Sequence, residues 1–365
     1  MSRCAKVLAR DAVKEDNLQP EETCMSVESL NRLQPPIRAS RKRFLGKPIP
    51  AEGENGLFTQ SWFPLCLASE VAPGQILGTD FLDGRVIVFR GTNGVAQVLS
   101  AYCPHLGADL AVGDVHDDTI RCAFHHWQYD QNGVCVRTGV GDPPPPAACL
   151  FKFPTVEKHG LIWAFNGEEP WFEVPDFPYP NEDLVVKVKA FAMILPVDPW
   201  VICCNTPDLQ HIKALHGVTF DQEDPDEEIE WTDHSMLYDF KGKHANGEPI
   251  EYRVGIFGTS IFYQSSIFNG RWFGFIAPFG MPRPGQTKTY MIVAARKSDG
   301  DAASTEAFLN FAIDLEKRVV SEDVPIIQTI HFKPGTLTRS DKALGKFLQY
   351  LRNFPRAHPS AEFIS

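Results

Sequence analysis

From Phe58 to Phe165 the chain breaks into short apolar runs separated by turn residues, with apolar stretches at 57–68 and 75–103. Asp83-Gly84, between Phe81-Leu82 and Arg85–Arg90, predicts a two-residue hairpin turn. Asn93-Gly94 predicts another, and Asn132-Gly133 and Asn166-Gly167 continue the series. Residues 58–167 therefore read as a small antiparallel all-β domain whose loops carry cysteine and histidine. Pro143–Pro146 is a rigid extended segment, and the Pro-rich stretch 171–181 reads as a domain linker. Beyond it the period mixes. A strand is expected at Leu184–Ile194 and a helix over Pro207–His216. Strands follow at Met236–Phe240, Glu251–Phe257, Ser260–Phe268, Arg271–Pro278 and Thr289–Ala295. Two helices close the chain, Ser304–Val320 with Phe308, Phe311, Leu315 and Val319 on one face, and Leu344–Leu351. The second half is thus an α+β domain, an antiparallel sheet covered by helices.

Residues 1–56 lack this periodicity and read as a flexible N-terminal extension, ahead of domains at 57–170 and 171–365. A length of 365 residues suits two domains. The 43% hydrophobic and 22% charged shares exclude wholesale disorder. The net charge of -11 divides into +4 over the first fifty residues and -15 over the rest. An acidic body repels phosphate backbones, so no nucleic-acid partner is expected. The acidic run Asp221–Glu230 reads as a solvated loop. No transmembrane span is predicted: Pro196, Asp198 and Pro199 break the run Phe191–Cys204, and Val254–Gly270 carries too many polar residues. The first residues show no apolar signal-peptide segment. Nine irregularly spaced cysteines do not form a disulfide framework. A cytoplasmic, reducing location is the expectation, and metal binding becomes the question.

Cys103-Pro104-His105 is followed, after sixteen residues, by Cys122-Ala123-Phe124-His125. Both pairs sit just after predicted strands, at loop tips that can converge. Two thiolates and two imidazoles suit either a tetrahedral zinc ion or a [2Fe–2S] cluster with both thiolates on one iron and both imidazoles on the other. The spacing separates them. A zinc finger places its cysteines together and its histidines together, whereas here each half gives one of each. His126, Cys135 and Cys149 match no ligand position.

A second constellation runs from Asn205-Thr206-Pro207-Asp208 through His211 to His216. Asn205 could cap a helix whose first turn takes Pro207. Five positions on a regular helix set His211 and His216 about 140° apart, so a distorted or ending turn before Gly217 is needed to aim both at one ion. Two imidazoles and one carboxylate make the facial triad that leaves iron(II) positions open.

C-x-H, sixteen residues, then C-x2-H with Trp127 beyond, together with N-x2-D-x2-H-x4-H, resembles the Rieske non-haem iron oxygenases over about Phe58 to Phe354. Ala123 stands where that family usually has Pro, and His126 where a small residue is common; neither removes a ligand. The resemblance implies that Cys103, His105, Cys122 and His125 hold the [2Fe–2S] cluster, and that His211 and His216 bind a mononuclear Fe(2+). It implies a third ligand in Ser321-Glu322-Asp323-Val324-Pro325, where Asp323 is the choice and Glu322 the runner-up; Pro325 allows a helix break that would turn the carboxylate inward. Asp208 is the expected bridge for electron transfer to a neighbouring subunit, within a head-to-tail homotrimer. The expected activity is hydroxylation or oxidative demethylation of an apolar, ring-containing substrate with O2. The tail from Asp323-Val324 to Phe354 looks most like the ketosteroid hydroxylase and demethylase branch. The chain has no flavin, nicotinamide or plant-type ferredoxin fingerprint, so electrons would come from a separate NAD(P)H-dependent reductase, with or without a ferredoxin. A Rieske electron carrier without oxygenase activity is the competing function, and a colourless zinc protein is the third.

Overall fold

The apolar runs of the second half build one antiparallel sheet. Its spatial order is Leu184–Leu195, Gln286–Arg296, Arg271–Arg283, Ile261–Phe268, Pro249–Phe257, Ser235–Lys243 and Thr219–Phe220, with Glu230–Trp231 also pairing to Ser235–Lys243. The structure, a computed structural model, describes residues 46–222, 228–244, 247–268, 270–333 and 335–365. Residues 1–45 and the middle of the acidic run lie outside these. The strands fall close to those expected, and most run a few residues longer.

The sheet is apolar on both faces. Along Gln286–Arg296, Met291, Val293 and Ala295 pack under helix α3 (Ala302–Ile327, below) with Phe308, Leu309 and Ile313. The intervening Tyr290, Ile292 and Ala294 pack instead with Trp62, Trp163 and Phe165 of the N-terminal half. A period of two serves two partners at once.

Two short helices, α1 (Pro199–Cys203) and α2 (Leu209–Ala214), follow the first strand of this sheet; α1 carries no sequence signal beyond Pro199. Helix α3 continues to Ile327 with Pro325 inside it, so the expected break is absent. Its buried face is Thr305, Phe308, Leu309, Ala312, Ile313 and Glu316. The expected stripe therefore splits: Phe308 packs on the sheet, while Phe311, Leu315 and Val319 line a cavity. Helix α4 (Lys342–Asn353) buries Phe347, Leu348 and Leu351, and α5 (Ala361–Ile364) ends the chain.

Residues 58–165 form three small antiparallel sheets. Their orders are Lys152–Phe153, Ala96–Ser100, Gly84–Arg90, Ile76–Phe81; then Thr155–Lys158, Leu161–Phe165, Trp62–Leu67; and Asp114–His116, Thr119–Arg121, Gln128–Tyr129, Cys135–Arg137. The first hairpin turns one residue earlier than expected, through Leu82 and Asp83, with Phe81 opposite Gly84. Gly84 is needed for another reason: a Cβ there would lie 2.1 Å from the Ile364 carbonyl oxygen. Asn166-Gly167 is not a hairpin turn. The buried Asn166 amide donates to the carbonyls of Phe58, Thr59 and Ala357, tying strand Phe58–Thr59 to its partner Arg356–Ala357.

Two segments expected to be loose are packed. In 171–181, Phe172, Val174 and Phe177 are buried, and the Trp62 indole donates to the Phe172 carbonyl. The extension is not free as far as residue 56. Arg352 donates to the Lys47 carbonyl and Arg356 to that of Pro50. The buried Glu52 carboxylate accepts from the Thr59 amide and hydroxyl, and burial pushes it up to about 7. Asp198 holds Glu52 and Gly285 through their amides, fixing the start of α1.

Candidate metal centres

The loops carrying Cys103-His105 and Cys122-His125 are folded alike. In each, the Cys amide donates to a carbonyl five residues on, Ala108 or Trp127, and the residue four on, Gly107 or His126, donates back to the Cys carbonyl. That fourth residue is left-handed in both, with φ 74° at Gly107 and 57° at His126. The matched turns bring the two thiols within hydrogen-bond contact and the His105 and His125 rings to 4.5 Å between centroids. Both cysteines are buried, whereas His105 is exposed and His125 half-buried, so the sulfurs lie inside and the imidazoles toward the surface. The Trp127 ring stacks on His105 at 4.4 Å. Burial pushes the Cys103 thiol up, opposed by the Tyr129 hydroxyl, 3.0 Å from Sγ, and by the His105 amide. Donors at the sulfur favour its thiolate. Two thiols at one end and two imidazoles at the other fit a [2Fe–2S] cluster of the mixed-ligand type.

A third loop backs this pair. A Cβ on Gly139 would fall 2.1 Å from the His125 carbonyl oxygen and 3.3 Å from the His126 Cβ. Gly139→Ala is expected to push the His125 loop outward, with overpacking costing about 1–3 kcal/mol. Cluster absorbance per chain should fall by about half or more, whereas an unchanged spectrum and melting temperature would show that the loops yield freely.

The second set gathers around α2. Asp208, not Asn205, is its N-cap: the carboxylate accepts from the His211 amide at 3.1 Å, and Oδ2 is unengaged among the described residues. The His211 ring Nδ1 lies 2.6 Å from the Asp208 carbonyl oxygen, so the ring donates there and Nε2 keeps its lone pair. The Asp208 backbone carbonyl, not its carboxylate, therefore holds this imidazole. Helix α2 ends at Ala214, and Gly217 turns the chain at φ 66°. His216 lies past the helix end, and the two rings meet at 5.2 Å between centroids. From α3, Glu322 Oε2 accepts from His216 Nδ1 at 2.8 Å, and Asp323 Oδ1 lies 3.2 Å from His216 Nε2. Donor atoms of His211, His216 and Asp323 all fall within 4.8 Å of one another. That spacing suits three ligands of one ion, with both imidazole backs engaged as metal-binding histidines require. Glu322 faces the back of His216 rather than the shared space. Burial pushes the His211 imidazole down, while the hydrogen bond to Asp323 pulls His216 up.

A cavity of about 720 Å³ opens onto these three side chains. Phe262, Phe268, Phe275 and Phe279 contribute to its wall, while Phe257 and Phe273 belong to the core. Among the described residues, no helix is long and apolar enough to cross a membrane.

The Rieske [2Fe-2S] domain family matches residues 61–153. Cholesterol 7-desaturase of Bombyx mori is 37% identical over 190 residues, 49% of this chain and 39% of that protein. The oxygenase component of 3-ketosteroid-9-alpha-monooxygenase from Rhodococcus rhodochrous is 31% identical over 124 residues, 34% of this chain and 32% of that one. The matched stretches thus cover well under half of these relatives. Among solved structures, dicamba monooxygenase bound to dicamba superposes with a TM-score of 0.63 at 17% identity, over 81% of this chain and 97% of that one. Residues 61–153 are thus a Rieske [2Fe-2S] domain, and over four fifths of its length the chain shares the fold of dicamba monooxygenase. The QL mutant of Pseudomonas putida CBB5 NdmA with theobromine shares the fold, with a TM-score of 0.63 at 19% identity over 80% of this chain and 89% of the other.

Within this Rieske domain the His126 departure has a visible setting. His126 holds a left-handed φ that its counterpart Gly107 adopts without a side chain, a conformation disfavoured by about 1–2 kcal/mol for a residue with a Cβ. The sequence did not reveal the Tyr129–Cys103 contact or the engagement of Glu322 by His216; neither has a local pattern. A buried Gln264–Glu316 pair in the cavity wall was missed as well, although an acid amid the apolar rows of α3 was its signal.

Proposed function

We propose that the chain is the oxygenase component of an O2-dependent system acting on an apolar, ring-containing substrate of sterol-like size. The observation that carries this is the apolar cavity opening directly onto His211, His216 and Asp323. In this reading Cys103 and Cys122 ligate one iron of the cluster, and His105 and His125 the other. His211, His216 and Asp323 ligate the mononuclear Fe(2+), and Glu322 orients His216. When bound, the cluster supplies electrons one at a time and the iron(II) supplies O2 activation. The protein's own part is to hold both imidazoles by their far nitrogens, to exclude water with phenylalanines, and to seat the reacting carbon beside Asp323. Residues 57–170 serve as the redox domain and 171–365 as the catalytic domain.

Electrons come from a separate NAD(P)H-dependent reductase, with or without a ferredoxin. The exposed His105 suits cluster-to-iron transfer across a subunit boundary, with Asp208 as the bridge in a homotrimer. The described cysteines are all unpaired, which favours work in a reducing compartment such as the cytoplasm. A bare electron carrier has no use for the cavity or the second donor set. The deciding experiment counts metal in the purified, reconstituted protein. A third iron beyond two iron and two labile sulfide per chain is expected; two and two alone, after iron(II) loading, would leave only a carrier.

A further inference from the structure

The cavity wall holds one buried polar pair far from the metal donors. Glu316 of α3 is 6% exposed and Gln264 of strand Ile261–Phe268 is 6% exposed, and both line the cavity. The Gln264 amide donates to Glu316 Oε1 at 2.9 Å. No further partner occupies Glu316 Oε2 or Gln264 Oε1 among the described residues. The neighbouring Tyr252 hydroxyl is engaged by His244 at 3.0 Å, and the other charged groups on this part of the wall, Glu248 and Arg318, are exposed. Burial pushes the Glu316 carboxyl up to about 7, opposed by Gln264 alone. In its protonated form, which burial favours, the carboxyl has an O–H to donate, and the amide oxygen keeps an acceptor site. Leaving both unmet in an apolar wall is unfavourable.

Glu316 and Asp323 are seven residues apart on one helix. That is about two turns, about 10 Å along the axis and within about 20° of the same face. The polar pair and the metal donors are therefore two points on one wall, with Val319 and Val320 between them.

We infer that Glu316 and Gln264 form the recognition point for a single hydroxyl group on an otherwise apolar substrate, held about two helical turns from the carbon that is oxidised. The inference rests on the oxygenase reading and adds the substrate's polar handle. A hydroxyl satisfies both free positions, accepting from the Glu316 carboxyl and donating to Gln264 Oε1. A carbonyl satisfies only the first, and a hydrocarbon neither. Sites built for a hydroxyl reject analogues lacking it because their own polar groups are then left unpaired.

The test is equilibrium binding of three sterols to the full holoprotein, delivered from cyclodextrin: cholesterol, the ketone cholest-4-en-3-one, and the hydrocarbon cholest-5-ene. Cholesterol should bind at least about tenfold more tightly than cholest-5-ene, with the ketone between them. Glu316→Leu and Gln264→Leu should each bring the cholesterol-to-hydrocarbon ratio near one. Glu316→Gln, which keeps a donor and an acceptor, should retain most of the preference. If the pair only cements α3 to the sheet, these variants shift melting temperature and leave the ratio alone, which overturns the inference. Equal wild-type affinity for all three, or no binding of any, overturns it too. The iron-to-sulfide ratio of the same preparation judges the oxygenase reading separately, so the two failures are distinguishable.

Discussion

Asp323→Ala is expected to empty the mononuclear site and abolish product formation while the cluster absorbance and melting temperature stay near wild type. Among the described residues only three side chains converge there, and Asp323 faces the same His216 nitrogen that would bind the ion. With one of three protein ligands gone, no neighbour can replace it: Glu322 is turned to the far side of the ring. His216→Ala should behave in the same way. Glu322→Ala removes only the hydrogen bond behind a ligand, so iron affinity should fall by about 10–100-fold and recover with added iron. Iron per chain, titrated at several iron(II) concentrations, separates these cases. If Glu322→Ala is the variant that cannot be refilled, the assignment of Asp323 is wrong.

Asp208→Asn is expected to leave both metal sites filled and the oligomer formed, with product formation falling by about 100-fold or more. As the proposed bridge, the carboxylate would sit behind a cluster histidine of a neighbouring subunit, where substitutions typically cost 10–100-fold, and its loss would also break the electron route. The structural role survives the change, because asparagine caps helices as well as aspartate and can still accept from the His211 amide. The ring contact survives too, since His211 is held by the backbone carbonyl. What is lost is the charge and the acceptor Oδ2. With the cluster pre-reduced and substrate and O2 supplied, the variant's cluster should stay reduced far longer than wild type. Rapid reoxidation coupled to product would make Asp208 a capping residue only.

The strands of the second half were legible because each is an apolar run bounded by turn residues, as a sheet buried on both faces requires. The cluster residues were legible because their spacing is local, and the two loops repeat one turn. Asp323 was reachable only through the resemblance, since α3 meets His216 from more than a hundred residues away and no periodicity encodes that crossing. The failures share a cause. Pro325 suggested a break, yet the packing of Ile327 beside Leu195 and Val197 keeps the helix going. Asn166-Gly167 carried turn chemistry, but its amide found three carbonyls at a chain crossing. The 171–181 stretch looked like a spacer, and tertiary burial of Phe172 and Phe177 overrode its prolines. In each case a distant partner decided the local conformation.

The large sheet's double-sided burial also bears on modularity. Tyr290, Ile292 and Ala294 have no solvent to face; they are completed by Trp62, Trp163 and Phe165 from the other half. Expressed alone, the catalytic half would present that face as a bare apolar slab and aggregate. A redox module transplanted from a relative would therefore have to bring matching aromatic residues with it, so exchanging electron-input units among such enzymes is a problem of surface grafting more than of linker length.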